Sequence, residues 1–211
     1  PLLVFFLSLP SENFHFLIRN TQVYNGDVMF ETNNINPDMV SFFATLGAQT
    51  RVIDDVNHIT GFSSVDNELY SLNNGVALRY LNTCSIIELK GTDSLDFLHR
   101  ISTNSVKNLS KEEIKKTIFT SEKGRIIGVT TVLNFESYLL LVTGIKSKQK
   151  VMSWINKYII GDDVKLSDAS HRFNIFELIG PQSNSFLSLF VANAASEIPS
   201  NSFKVVSADG I

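Results

Sequence analysis

Cysteine, proline and tryptophan are scarce here: one, five and one in 211 residues. The lone thiol, Cys84, excludes an internal disulfide framework. It also leaves too few thiolates for a zinc or iron–sulfur site built by this chain alone. A reducing compartment, the cytoplasm or in a eukaryote the mitochondrial matrix, is the expected setting. An excess of positive charge is lacking too: 18 basic against 21 acidic residues give a net charge of −3, so no direct nucleic-acid binding is expected. The one dense apolar run, Leu2 to Leu9, is too short to span a bilayer. No basic residue precedes it, and it reads as a buried strand rather than a leader. The four histidines (His15, His58, His99 and His171) have no HxH or HxxxH spacing, and each reads as a structural or surface residue. What the chain does have is core material, with 16 Phe and 44% hydrophobic residues, enough for a globular α+β protein. A start at Pro1 and an end at Ile211 suggest a piece of a longer protein.

The pattern along the chain divides it into three. Residues 1–60 form an α/β appendage. In it, Tyr24 to Phe30 holds a turn, Asn36-Pro37-Asp38 starts a helix, Met39, Val40, Phe43 and Leu46 give that helix an apolar face, and Gly47 stops it. Arg51-Val52-Ile53 is a strand ending at Asp54-Asp55. The order of these pieces loosely resembles molybdopterin-binding domains. Residues 61–75, polar and with a glycine at each end, read as a connection with room for one helical turn. Residues 76–211 form the main domain. Its expected strands are Ser85–Lys90, Lys116–Thr120, Ile126–Leu133, Tyr138–Thr143, Val164–Leu166 and Phe173–Ile179. Its expected helices run from Thr92-Asp93-Ser94 to about Asn104 and from Ser147 to Ile160, with a further one carrying Phe186, Leu189 and Phe190. In the second, Val151, Trp154, Ile155, Tyr158 and Ile159 repeat at helical spacing. The fold class is α+β, antiparallel sheets with packed helices.

Few residues suggest chemistry. Asp54-Asp55 and Asp162-Asp163 are adjacent carboxylates that point apart on regular elements, which argues against paired acid/base work. Cys84 has only Arg79 nearby to lower its pKa and reads as a buried small hydrophobe. Lys111-Glu112-Glu113 reads as solvated. The turn Glu122-Lys123-Gly124-Arg125 sets two cations at a sheet edge, with Gly124 permitting a tight reversal. Those cations could hold a carboxylate, or simply solubilise an exposed hairpin.

The segment order from Gly75 to Gln182 resembles a known family. Gly75-Val76-Ala77-Leu78-Arg79 is followed by Ile86 to Gly91. Next comes Asp93 to Asn104, similar to G-x-D-x-x-x-F-L-x-x-x-x-T-N. Then follow the Glu122 to Ile126 hairpin, Tyr158 to Val164, and Leu178-Ile179-Gly180-Pro181-Gln182. This order is similar to the N-terminal part of the glycine-cleavage T-protein superfamily, and most of all to its YgfZ branch. The resemblance implies a tetrahydrofolate or another folate derivative as cofactor, bound among several subdomains. It implies Phe119, Lys123, Arg125, Thr130 and Thr143 as candidate cofactor-binding residues. Phe119 would stack on a ring, and Lys123 and Arg125 would meet the glutamate tail. The acidic pair that supports aminomethyl transfer in T-proteins falls here on Gly128 and Val129, and a later Asn falls near Gly144. Transferase chemistry is therefore not expected. The YgfZ branch implies a folate-dependent accessory role in iron–sulfur cluster assembly or repair, with effects on tRNA-modifying enzymes and with iron–sulfur proteins or assembly factors as partners. The branch's K-G-C-[YF] motif does not occur in these residues. An aminomethyltransferase and a scaffold domain without folate are the alternatives.

Overall fold

A computed structural model describes residues 2–8, 13–19, 39–53, 55–189 and 198–207. In chain order the elements are β1 (Leu2–Ser8), β2 (Asn13–Arg19), helix α1 (Met39–Thr45), β3 (Gln49–Ile53), β4 (Val56–Gly61), α2 (Val65–Asn74), β5 (Ala77–Tyr80), β6 (Cys84–Lys90), α3 (Ser94–Ile101), β7 (Ile114–Thr120), β8 (Ile126–Asn134), β9 (Leu139–Gly144), α4 (Lys148–Tyr158), β10 (Lys165–Asp168), β11 (Phe173–Ile179), α5 (Ser183–Ser188) and β12 (Phe203–Ser207). All strand pairs among the described residues are antiparallel, which agrees with the α+β expectation.

The strands form two five-stranded sheets and a separate hairpin. One sheet runs β10-β6-β9-β8-β7, the other β12-β1-β2-β11-β5, and β3 pairs with β4. Alternation along the strands gives the first sheet two apolar faces. One face, with Ile87, Leu89, Phe119, Val132, Leu139 and Leu141, packs under α3 and α4 through Phe97, Leu98, Val151 and Ile155. The other, with Ile86, Ile114, Leu133 and Leu140, packs on Phe173 and Ile175 of β11 and Phe203 of β12. The layers are therefore helix, sheet, sheet. On the far side of β11, Phe43 of α1 meets Tyr80 and Phe176 at ring-centroid distances of 6.2 and 6.3 Å.

Several expectations change. The 61–75 connection contains α2, a helix of 10 residues and nearly three turns. Ser64 caps it by accepting from Asn67 N at 3.4 Å, and Asp66 and Glu68 favour its first turn. None of its residues is fully buried, and its apolar positions, Val65, Leu69 and Leu72, are spaced i, i+4, i+7 but set among Asn, Ser and Asp that read as a polar loop. The expected appendage shares a sheet with the main domain, because β2 pairs along β11 from Phe173↔Arg19 to Leu178↔Phe14. Strands β2, β4, β5 and β12 were not foreseen as strands. The strand expected at Val164–Leu166 runs instead over Lys165–Asp168, and α3 ends at Ile101. The turn at Tyr24 to Phe30 and the helix start at Asn36-Pro37-Asp38 lie outside the described residues, as do Asp54 and Phe190.

Two of the segments singled out in the sequence have clear structural work. Thr103 and Asn104 clasp the outer edge of β7. Thr103 N donates to Ile118 O (3.0 Å) and Asn104 Nδ2 to Lys116 O (2.8 Å), while Thr103 Oγ1 accepts from Ile118 N (3.3 Å) and Thr117 Oγ1 from Asn104 N (3.1 Å). Side chains and loop backbone thus satisfy an edge that would otherwise be open to pairing. The Asp162-Asp163 pair locks the loop after α4 to both ends of α3. Asp163 accepts from Thr92 N and Oγ1 (3.0 and 3.1 Å), Asp93 accepts from Asp163 N (2.8 Å), and Asp162 pairs with Arg100. Gly91 sits between them at φ +125°, where a Cβ would overlap the Asp163 carbonyl.

Candidate functional site

The β7–β8 hairpin closes as the sequence suggests. Gly124 has φ +71°, Gly124 N donates to Ser121 O and Ser121 N to Arg125 O, both at 2.8 Å. Ser121 Oγ accepts from Arg125 N at 3.2 Å. The turn lies beside α4, and together they enclose an open groove of about 650 Å³ lined by Lys123, Arg125, Ile126, Lys150, Trp154 and Lys157 among others. Lys157 is committed: its Nζ meets Glu122 Oε1 at 2.9 Å and lies 5.3 and 5.1 Å from the ring centroids of Trp154 and Tyr158. That pairing holds the Glu122 carboxyl below the usual carboxylate range. Lys123, Arg125 and Lys150 have no carboxylate partner among the described residues. The sequence does not single out the α4 residues of this groove, although Lys150 and Lys157, at i and i+7, share one face of the helix.

The other candidate residues are elsewhere. Phe119, Thr130 and Thr143 face the helices and are at most 3% exposed. Phe119 packs in the core with Phe97, Val132 and Val151, so as a stacking platform it is corrected: neither face of its ring is open to a ligand. Thr143 Oγ1 donates to Val129 O at 3.0 Å. Thr117, Thr130, Thr143 and Ser85 face one another in register across four strands and form a buried hydroxyl row, in which Thr130 Oγ1 has no hydrogen-bond partner. The structure therefore brings Lys123 and Arg125 together and sets Phe119, Thr130 and Thr143 apart from them, beneath α4.

The two positions expected to lack a carboxylate differ in kind. Gly128 lies under α4, where a Cβ would come within 2.5 Å of Val151 Cγ2; no acidic side chain fits there with α4 docked. Val129 points to the opposite face, which the second sheet leaves uncovered at this point, and is 53% exposed. A carboxylate at 129 would have room, and the residue is Val.

The remaining candidates are structural. Cys84 is half-buried, and that burial pushes its thiol pKa up; Thr83 and Arg79 oppose that shift without cancelling it. His99 is half-buried, with Nδ1 buried and unpartnered, rather than solvent-facing. Among the described residues no group of His, Cys, Asp or Glu could hold a metal ion, and no helix is long and apolar enough to cross a membrane.

A helix-roofed antiparallel sheet stacked on a second one, with a charged hairpin beside α4, defines a T-protein-like fold. It superposes on the glycine cleavage system aminomethyltransferase T from Bartonella henselae with a TM-score of 0.67 and 14% identity, covering 75% of this chain and 44% of that one. Residues 26–211 match the GCVT N-terminal domain, and the chain belongs to that family. The match takes in the stretch that loosely resembles molybdopterin-binding domains and shows it to be part of this family instead. Among curated relatives, a chloroplastic protein of Arabidopsis thaliana, whose name assigns it provisionally to the transferases, is 26% identical over 148 residues, 70% of this chain and 34% of that protein. An aminomethyltransferase of Bacillus mycoides is 29% identical over 145 residues, 68% of this chain and 39% of that one. The chain thus spans roughly a third to two fifths of these curated relatives.

Proposed function

We propose that the chain is part of a folate-binding protein that serves as an accessory in iron–sulfur cluster assembly or repair, as in the YgfZ branch, rather than as an aminomethyltransferase. The observation that carries this reading is the pair Gly128 and Val129. Where a transferase needs a carboxylate to stabilise charge on the folate amine, one position is roofed by Val151 and the other is an exposed Val. The T-protein-like fold is kept while that electrostatic partner is absent. Lys123 and Arg125 are proposed to meet the folate carboxylates, since Arg pairs with a carboxylate in bidentate fashion. Phe119, Thr130 and Thr143 would act from behind, by holding β8 in place. Iron–sulfur proteins or their assembly factors are the proposed partners, with effects on tRNA-modifying enzymes, in the cytoplasm or the mitochondrial matrix.

Calorimetric titration of the full-length protein with tetrahydrofolate tests the reading. Measurable binding that weakens in Arg125→Ala supports it; absence of binding to any tetrahydrofolate species sinks it. The names of the relatives favour a second reading, aminomethyl transfer. Turnover by the full-length protein in a glycine-cleavage assay would establish that alternative and displace the first.

A further inference from the structure

The two sheets are covered unequally. Helices α3 and α4 roof the first with buried side chains, Phe97, Leu98, Val151 and Ile155 among them. The far side of the second is covered by short elements that bury little. Helix α1 has seven residues and fully buries only Val40, α2 fully buries none of its residues, and all five residues of β3 are exposed. Helices this short are marginal in water unless they pack on something. The elements form one continuous layer. Helix α1 rests on both strands of the β3–β4 hairpin, and Phe43 meets the Phe62 ring at 5.7 Å. Gln182, before α5, donates from N and Nε2 to Gly75 O and Asn74 O at the end of α2, both at 3.0 Å.

This layer carries most of the large apolar side chains that the described residues expose. Phe42, Leu46, Val52, Phe62, Leu69 and Tyr70 are between 48 and 69% exposed. Its polar side chains are turned to internal partners: Thr60 Oγ1 donates to Gln49 O (3.2 Å) and Ser71 Oγ to Asn67 O (3.1 Å), and Glu68 Oε1 accepts from Phe62 N (2.6 Å) and Ser63 N (3.1 Å). An apolar face of this extent marks an interface. The β3 edge points the same way. Among the described residues β3 pairs only with β4, its one charged residue is Arg51, and it has nothing like the Thr103-Asn104 clasp on β7. A two-stranded hairpin is marginal alone, and an open apolar edge is one that proteins ordinarily cover.

Length indicates the cover. The whole layer lies within the match to the GCVT N-terminal domain, residues 26–211, and the superposition on the solved aminomethyltransferase T takes in only 44% of that chain. We propose that the α1, β3–β4 and α2 face is an internal interface of the full-length protein, on which the polypeptide following this N-terminal domain seats apolar side chains over Phe42, Phe62 and Leu69 and covers the β3 edge. The inference does not depend on the folate reading.

Photo-cross-linking within the full-length protein tests it. Tyr70→p-benzoylphenylalanine and, separately, Phe42→p-benzoylphenylalanine place the reactive group on exposed positions that the fold tolerates. Irradiation followed by peptide mass spectrometry should find the cross-link within one polypeptide, to a peptide beyond residue 211. A cross-link to residues 20–38 would overturn the proposal by making the cover part of this domain. A covalent dimer on a denaturing gel would overturn it in favour of a second copy, and the absence of any cross-link would show an open face. A second readout is thermal. Val52→Glu should lower the melting temperature of the full-length protein by at least about 3 °C, because it puts an unpaired charge into an apolar interface. Ile160→Glu, on a side chain 90% exposed outside this layer, should leave it within about 1 °C. Equal effects of the two substitutions would overturn the proposal.

Discussion

Glycine at position 128 and valine at 129 carry opposite constraints on adjacent residues. Restoring an acid at 128 means forcing a side chain against Val151, so Gly128→Asp should cost more than about 2 kcal/mol through overpacking and a buried charge. Val129→Asp, on the open face, should stay within about 1 kcal/mol of the parent. Urea unfolding of both variants checks this; a Gly128→Asp protein as stable as Val129→Asp would show that α4 does not roof the strand. Gly91→Ala combines a positive φ with overlap on the Asp163 carbonyl, and should cost about 3 kcal/mol or more by the same measurement. The raised pKa and burial of Cys84 predict slow alkylation by iodoacetamide at neutral pH, speeding up only on unfolding.

At the level of elements, legibility in the sequence followed burial. Helix α4 and strands β6, β8 and β11 were legible because each buries a regular stripe or run of apolar residues. Helix α2 fully buries none of its residues, and its short Val65, Leu69, Leu72 stripe sits among polar residues that read as a connection. Strand β5, four residues with exposed Leu78 and Arg79, is defined by pairing to β11 over a long sequence separation, which no local pattern records. The candidate site was half legible: the turn chemistry of Lys123 to Arg125 shows in the residues, whereas its juxtaposition with Lys150 and Trp154 depends on how α4 docks. The burial of Phe119 followed from its face of β7, which alternation alone cannot assign to ligand or core. The Thr103-Asn104 clasp shows the value of asking what a motif satisfies. Asn104→Ala removes the bond to Lys116 O and should cost about 1 kcal/mol. Its signature is faster hydrogen exchange at the amides of Lys116 to Ile118, with the β6–β9 amides unchanged.

For the whole molecule, pairing of carboxylates sets the response to pH. Burial raises the pKa of Glu88, but hydrogen bonds and charge from Arg172 and Lys90 outweigh it and leave it lowered. Asp168, paired with Lys148 and Ser170, is likewise lowered against the pull of burial. Backbone and side-chain hydrogen bonds from Thr92 lower Asp163. A carboxyl whose folded pKa is depressed stabilises the fold above its unfolded pKa, and that contribution is lost as pH falls through the folded value. The melting temperature should therefore drop between pH 6 and pH 3, and Glu88→Gln should show a shallower decline than the parent. A melting temperature that rises on acidification would contradict the ion pairs described.

The pairing of β2 with β11 has a consequence in time. Strands β6 to β9 are neighbours in sequence and can assemble as soon as they leave the ribosome. The stacked sheet cannot, because its second strand waits for a partner synthesised more than 150 residues later, and β1 waits longer still for β12. Contacts of such long range slow folding and prolong the exposure of unpaired strands. Strands β1 and β2 can pair with each other as a hairpin at once, but the two outer edges of that hairpin stay open until β11 and β12 have been made, an interval in which they can pair wrongly.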